Sequence, residues 1–175
     1  VHKEGEGPRP CNIIKSLDDA VAMTSNRLKY NVKLERELPG EAMVLADPRR
    51  ITQVFINVLI NAGDALGQAG GTIWMHGEIQ EKDVQVRIRD NGPGVPEEIR
   101  DRIFEYFFTT KDSDNGTGLG MPIPRKIIQE YGGLFELNPA REEGAEFLVQ
   151  LPLVREHQES TQGQKTAAEL TSKDR

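Results

Sequence analysis

The sequence predicts an α+β fold, a two-layer sandwich in which a mixed, largely antiparallel sheet carries its helices on one face. Val84, Val86 and Ile88 alternate with polar residues, which is the period of a half-buried strand. The segment 49–66 instead repeats its apolar residues at helical spacing. With 175 residues and no internal repeat, the chain suits one domain of ordinary size.

The bulk composition narrows the class of protein. A net charge of −6 and a pI of about 5.2 argue against a broad basic surface for nucleic acid. The single cysteine, Cys11, excludes an internal disulfide framework, and no apolar run approaches the roughly 20 residues of a membrane helix. The N-terminus has neither an initiating methionine nor a signal-peptide core. We therefore expect a cytoplasmic fragment of a longer protein, and the other parts of that protein can include a membrane anchor.

Both ends of the chain are predicted to lie outside the folded core. Residues 1–9 are polar and contain Gly5, Gly7 and Pro8, as expected for the end of a linker. Residues 154–175 have almost no apolar side chains, so burial cannot offset the entropy of ordering them, and we expect a disordered tail. The predicted core is 10–153.

The first half of this core begins with a helix, because apolar residues from Leu17 to Leu28 fall at helical spacing. Two short strands over 32–34 and 43–45 follow, separated by the turn at Pro39-Gly40.

A second helix is predicted from its end signals. Asp47 is a favourable N-cap and Pro48 a favourable first helical residue, and the apolar stripe ends near Gly67. Strands over 72–79 and 84–89 then form an antiparallel hairpin.

The last part of the core begins with a short helix over 96–103. A helix over 123–131 follows, and Pro122 and Pro124 fall within its first turn, where backbone N–H groups lack partners anyway. Gly132-Gly133 caps that helix, and strands over 134–137 and 146–151 complete the sheet.

Two asparagines on the second helix need an explanation. Asn57 and Asn61 are four residues apart and share a face, among Val, Leu, Ile and Ala. Solvent-facing amides explain the pair about as well as a functional role does. In the functional interpretation, Asn61 offers its carbonyl oxygen to Mg²⁺, while Asn57 and Gln53 on the same face orient phosphates or the waters of the metal.

Asp90-Asn-Gly92-Pro-Gly94 ends the second strand of the hairpin. These residues form turns readily, and for this motif alone a simple turn is the stronger interpretation. The alternative is a buried carboxylate that accepts a hydrogen bond from the exocyclic amine of adenine, with glycines that let the backbone approach the ring.

Gly116-Thr-Gly118-Leu-Gly120 directly precedes a predicted helix. Its exposed backbone N–H groups and the positive helix N-terminus are suited to phosphates. The loop is not a Walker motif, because no Gly-Lys-Ser/Thr follows, and it lies too late in the chain for a dinucleotide fingerprint.

The segment between these loops is aromatic and then polar. Phe104, Phe107 and Phe108 are half of the six phenylalanines, and core packing explains at least one of the rings. Lys111 is either a solvated cation or one that neutralises phosphates. Residues 111–116 have the composition of a movable lid.

The order of these motifs resembles the catalytic, ATP-binding domain of sensor histidine kinases, in the GHKL superfamily shared with gyrase, heat-shock-90 chaperones and mismatch-repair ATPases. The resemblance covers about 10–153. The family has five sequence motifs, and each has a counterpart here. The N box resembles Asn57–Asn61 and the G1 box Asp90–Gly94. The F box resembles Phe104–Phe108, the G2 box Gly116–Gly120, and the last glycine motif Gly144–Phe147. The run 104–111 resembles the subgroup related to nitrogen-regulation sensors.

The resemblance implies the Bergerat fold, with ATP bound beneath a lid, Mg²⁺ on Asn61 and adenine on Asp90. It implies transfer of the γ-phosphoryl group to a histidine on a separate helical dimerisation hairpin, upstream of residues 1–9, and a response regulator as further partner. The fragment is then expected to be monomeric and the full-length protein a homodimer. The implied catalytic residues are Asn57, Gln53 and Lys111. The implied nucleotide-binding residues are Asn61, Asp64, Ala65, Asp90, Gly92, Gly94, Val95, Phe104, Phe108, Thr109, Thr110, Lys111, Gly116, Thr117, Gly118, Leu119 and Gly120.

The chain departs from the family pattern in three respects. Ala145 stands where the family usually has Thr, which removes one polar contact near adenine, and Tyr106 stands where the F box often has Pro. None of the three histidines, His2, His76 and His157, lies in the amphipathic helical context of a phosphoacceptor.

Two alternatives to a kinase domain stay open. One is an ATP-hydrolysing member of the superfamily, although such relatives carry a general-base Glu where this chain has Asn57. The other is a degenerate module that binds no ATP and acts by protein contact.

Overall fold

The computed structural model describes residues 7–28, 31–109, 120–139 and 143–154. Its strands and helices follow each other as β1 Arg9–Asn12, α1 Ile13–Thr24, β2 Val32–Glu37, β3 Met43–Ala46, α2 Pro48–Leu66, β4 Gly71–Ile79, β5 Asp83–Asp90, α3 Pro122–Glu130, β6 Leu134–Pro139 and β7 Ala145–Pro152.

Within the part of the chain that the structure describes, five strands form the main sheet in the order β2-β4-β5-β7-β6. β2 runs parallel to β4, and the remaining neighbours are antiparallel. The predicted hairpin of β4 and β5 is confirmed, with Met75 opposite Ile88. The sheet is therefore mixed and largely antiparallel, as the sequence predicts.

A second, two-stranded sheet pairs β1 with β3 in antiparallel register. Sequence patterning did not predict β1, because Pro10 and its polar neighbours are typical of a linker. Cys11 on this strand is nonetheless buried. The predicted boundary between linker and core, after residue 9, is therefore one residue too late, because β1 begins at Arg9.

The helices lie on one face of the main sheet. Phe55 and Leu59 of α2, Leu17 of α1, Ile128 of α3 and Ile88 of β5 belong to one continuous buried cluster. Along β5 burial alternates strictly, which continues the predicted pattern from Val84 to Asp90.

The ends of α2 and α3 form as their sequences predict. The Asp47 carboxylate accepts the Arg49 N–H at 2.9 Å, and Pro48 is the first helical residue. Gly132 adopts φ +73°, and the N–H of Gly133 donates to the Ile128 carbonyl at 3.0 Å, which closes the last turn of α3.

The predicted short helix over 96–103 is wrong in type. Two single 3₁₀ turns, Glu97–Ile99 and Arg102–Phe104, take its place. So short a segment gains few α-helical hydrogen bonds, and the two turns instead bring Ile103 and Phe104 against the core.

Among the described residues, no helix combines the length and apolar character needed to cross a bilayer.

Candidate nucleotide site

Asp90 is a buried carboxylate at the end of a strand. The alternation of β5 turns it toward the helix-covered side, where only 2% of its surface is exposed. Its Oδ1 accepts the N–H of Gly92 at 2.8 Å. Burial raises the pKa of Asp90, and the backbone N–H groups of Gly92 and Ala145 oppose that shift. The carboxylate is therefore an acceptor held in a low-dielectric position.

The loop after Asp90 requires its glycines. Gly94 has φ +75°, and a Cβ there would lie 2.7 Å from the Gly144 carbonyl oxygen. Gly144 has φ +93°, and a Cβ there would lie 1.8 Å from the Asp90 carbonyl oxygen. The two glycine motifs, 50 residues apart in sequence, are in direct backbone contact beside the carboxylate.

Asn91 fixes the same loop from its other side. Its Oδ1 accepts the Thr72 N–H at 2.8 Å, and a Cβ on Gly71 would lie 2.4 Å from that oxygen. Patterning did not single out Asn91, because an asparagine in a turn is usual and its partner lies in β4.

A cavity of about 580 Å³ opens above the loop. This volume is within the range of small-molecule sites. Its lining includes Ala65, Gly92, Gly94, Val95, Arg100 and Gly144. A Cβ on Gly92 would lie 2.9 Å from the Asp90 Oδ1 and 3.3 Å from the Ala65 Cβ, so glycine at this position lets the loop lie close against this end of α2. Arg100 is a lining residue that the sequence did not indicate.

The predicted amide face of α2 leads toward this cavity. The Gln53 Nε2 donates to the Asn57 Oδ1 at 2.7 Å, so these two side chains share a face. Asn61 is half-buried and lies one turn before Ala65. Amide oxygens are hard ligands of the kind that Mg²⁺ prefers, so the chemistry of Asn61 fits the implied metal. Asp64 is exposed.

The aromatic segment combines packing with exposure. The Phe104 ring meets Phe135 edge to face at a centroid distance of 6.0 Å, and the Arg125 guanidinium lies 4.6 Å from the Phe104 centroid. Arg102 covers Phe108 at 4.3 Å. Phe107 has φ +67° and is 77% exposed. The packing interpretation therefore holds for Phe104, and neither Phe104 nor Phe108 lines the cavity.

Several predicted site residues lie outside the described residues: Thr110, Lys111, Gly116, Thr117, Gly118 and Leu119. Thr109 and Gly120 are described, and α3 begins two residues after Gly120. Ala65, Gly92, Gly94 and Val95 line the cavity as a group, with Asp90 beneath them.

Arg50 joins α2 to α3, the helix that follows the predicted phosphate loop. Its Nη1 lies 2.5 Å from the Glu130 Oε2 and 3.4 Å from the Tyr131 hydroxyl, and its guanidinium lies 5.5 Å from the Tyr131 centroid. The group is partly exposed, so it fixes the position of α3 against α2 more than it adds stability.

The fold and the cavity define a class, an α+β sandwich domain with a loop-lined small-molecule site at the end of one strand. Residues 46–155 match the family described as Histidine kinase-, DNA gyrase B-, and HSP90-like ATPase. The chain belongs to this family.

Curated relatives include two sensor proteins. The Sensory histidine kinase/phosphatase NtrB of Salmonella typhimurium is 34% identical over 155 residues, which cover 81% of this chain and 43% of that protein. The C4-dicarboxylate transport sensor protein DctB of Pseudomonas aeruginosa is 33% identical over 142 residues, covering 79% and 23% respectively. The chain thus spans less than half the length of these relatives.

Solved structures of similar shape include the nucleotide-free catalytic domain of histidine kinase ThkA. The match has a TM-score of 0.74 at 35% identity and covers 83% of this chain and 97% of that one. ThkA in complex with the response regulator protein TrrA matches with a TM-score of 0.72 at 31% identity, covering 84% and 42%. The predicted fold class and the resemblance to histidine kinase catalytic domains are confirmed.

Proposed function

We propose that this domain binds ATP and transfers its γ-phosphoryl group to a histidine on a separate helical dimerisation hairpin, as the catalytic domain of a two-component sensor histidine kinase. The observation that carries the proposal is the buried Asp90 beneath the contacting loops of Gly94 and Gly144. The similarity to NtrB and to the ThkA catalytic domain supports it.

Asp90 recognises the adenine base. Its carboxylate is buried and offers about four acceptor sites, more than the backbone N–H groups of Gly92, Ala145 and Asp90 use, so the exocyclic amine of adenine is a suitable further donor. A guanine presents a carbonyl oxygen in the equivalent position, and two acceptors facing each other in a buried site would repel.

The amide side chains of α2 serve the phosphate end. Asn61 would hold Mg²⁺ through its carbonyl oxygen, and Asn57, oriented by Gln53, would hold phosphate oxygens or the waters of the metal. Mg²⁺, when bound, neutralises charge on the phosphates. Lys111 and the backbone N–H groups of Gly116, Gly118 and Gly120 add to that neutralisation.

The transfer step needs little covalent chemistry from this chain. A lone pair on the acceptor histidine nitrogen forms the new bond to the γ-phosphorus, the bond to the bridging oxygen breaks, and ADP leaves. The contribution of the domain is to hold ATP in line with the acceptor and to neutralise its charge.

The partners follow from that chemistry. They are the dimerisation hairpin that carries the histidine, and a response regulator that receives the phosphoryl group, as the ThkA–TrrA complex suggests by similarity. We further propose that the linker ends at residue 8, before β1 begins, that 9–153 is the catalytic domain and that 154–175 is a polar tail. The isolated domain is a monomer in the cytoplasm, whereas the full-length protein is a homodimer.

Asn57 favours transfer over hydrolysis. An amide cannot take a proton from water, and its oxygen already accepts the Gln53 amide at 2.7 Å. The steric need for glycine at 94 and 144 favours a binding site over a degenerate module.

Two measurements test the proposal. Mg²⁺-ATP at about 100 times its Kd should raise the Tm by roughly 5–10 °C, and Asp90→Asn should lose most of that shift. The full-length parent incubated with γ-labelled ATP should carry an acid-labile, alkali-stable label on histidine. No shift at millimolar ATP would favour the degenerate module, and rapid phosphate release without labelled histidine would favour a hydrolase.

A further inference from the structure

We propose that Arg100 is a nucleotide-binding residue that contacts the base of bound ATP, with its planar guanidinium against a face of the adenine ring. The inference rests on the proposed function and adds a contact that the family motifs do not contain.

Arg100 is held at the wall of the cavity. Its Nε donates to the Val95 carbonyl oxygen at 3.1 Å, and the side chain is half-buried. It lines the cavity together with Gly92, Gly94 and Ala65. The hydrogen bond uses Nε and leaves the two terminal nitrogens and the flat faces of the guanidinium for a ligand.

The position of Arg100 assigns it to the base rather than to the phosphates. Its neighbours in the cavity are the loop over the buried Asp90 and the C-terminal end of α2. The amides suited to phosphate and metal, Asn61 and Asn57, lie one and two turns earlier on α2, roughly 6 and 12 Å along its axis from Ala65. A cation at the base end has no phosphate to neutralise, whereas a guanidinium stacks well on an aromatic ring.

Other arginines of this chain already use that mode of contact. In four pairs an arginine guanidinium lies 4.3–5.5 Å from an aromatic ring centroid. The pairs are Arg102 with Phe108, Arg125 with Phe104, Arg50 with Tyr131 and Arg89 with Trp74. Within the described ranges, Arg100 is not stacked on any aromatic side chain of the protein. Its guanidinium is therefore available for the ring of a ligand.

Calorimetric titration of the whole chain with ATP, ADP and adenosine separates the possible contacts. Arg100→Ala should weaken all three by the same factor, about 3- to 30-fold, because the contact is with the nucleoside. Arg100→Lys should lose most of the same factor, since an ammonium keeps the charge but not the planar stacking surface. Arg87→Ala, on the opposite face of the sheet, is the matched control and should bind like the wild type.

Contrary outcomes have distinct meanings. A loss that grows with the number of phosphates and is rescued by Arg100→Lys would overturn the stacking role in favour of a phosphate contact. Unchanged binding of all three ligands by folded Arg100→Ala, verified by its Tm, would overturn any nucleotide contact. Wild-type protein that binds none of the three would overturn the proposed function, and this assignment with it.

Discussion

Asp90 combines a structural cost with the binding role proposed for it. Its carboxylate is placed on the inner face by strand alternation and is almost fully buried, which raises its pKa. Burying a carboxylate costs free energy, and the backbone hydrogen bonds and the nearby Arg89 only partly offset that cost, since burial remains the largest influence on its pKa. Its presence between two glycine loops is better explained by a ligand than by stability.

The pH dependence of unfolding tests this account of Asp90. Its pKa is higher in the folded than in the unfolded chain, so folded protein binds the proton more tightly. The free energy of unfolding should therefore fall as pH rises from about 4, the ordinary aspartate range, through the raised pKa, and change no further above it. The Tm of the wild type relative to that of Asp90→Asn, measured without nucleotide from about pH 4 to about pH 8, should fall in this way.

The control for that measurement is Gly40→Ala, which changes no titratable group and places a Cβ where nothing lies within 4 Å. Its pH profile should be parallel to that of the wild type. A difference between wild type and Asp90→Asn that stays constant across the range would contradict the raised pKa.

At the scale of elements, the site depends on close contacts between segments that share no local pattern. The loop after β5 meets the turn before β7 at Gly144, and it meets the end of α2 at Ala65. Asn91 joins that loop to β4. Small side chains at each contact let three elements converge on one carboxylate, which larger residues would force apart.

Gly144→Ala should therefore destabilise the protein, because it combines a positive φ with a backbone clash against Asp90. We expect a loss of about 2 kcal/mol or more in the free energy of unfolding, which corresponds to a Tm lowered by roughly 4–8 °C. Gly40→Ala is the matched control, since an added Cβ there meets nothing within 4 Å and its φ is not positive. It should be neutral or slightly stabilising. Equal Tm values for the two variants would show that the loop relaxes around the new methyl group.

At the scale of the whole molecule, the cavity exists only when distant parts of the chain are assembled. Its walls come from α2, from the loop after β5 and from the turn before β7. In addition, β2 pairs with β4 in parallel, and the chain passes through β3 and α2 before that pair can form. Such a site cannot form in part of the sheet alone.

Unfolding should accordingly be cooperative. The single tryptophan, Trp74, donates to Glu35 at 2.8 Å and lies beneath Arg89, so its fluorescence reports on β2, β4 and β5 together. Its urea transition should coincide with the loss of far-UV circular dichroism, and Mg²⁺-ATP should move both midpoints upward together. Separate transitions would mean that the domain does not unfold as one cooperative unit.

Much of the local structure was predictable because its signals are local. The alternation of β5 placed Asp90 on the inner face, and Asp47-Pro48 and Gly132-Gly133 marked helix ends that the structure confirms. The 3₁₀ turns over 97–104 and the strand β1 were not predictable. Their conformations are set by the core and by the partner strand β3, and their own sequences resemble a helix and a linker.

The sequence alone determined the order of the motifs, the fold class and the family resemblance, since these depend on residue type and spacing along the chain. Only the tertiary structure decided that β2 pairs with β4, that Gly144 touches the backbone of Asp90, and that Arg100 stands at the cavity wall. These facts depend on contacts between residues far apart in sequence, and spacing along a chain carries no information about which distant segments will meet.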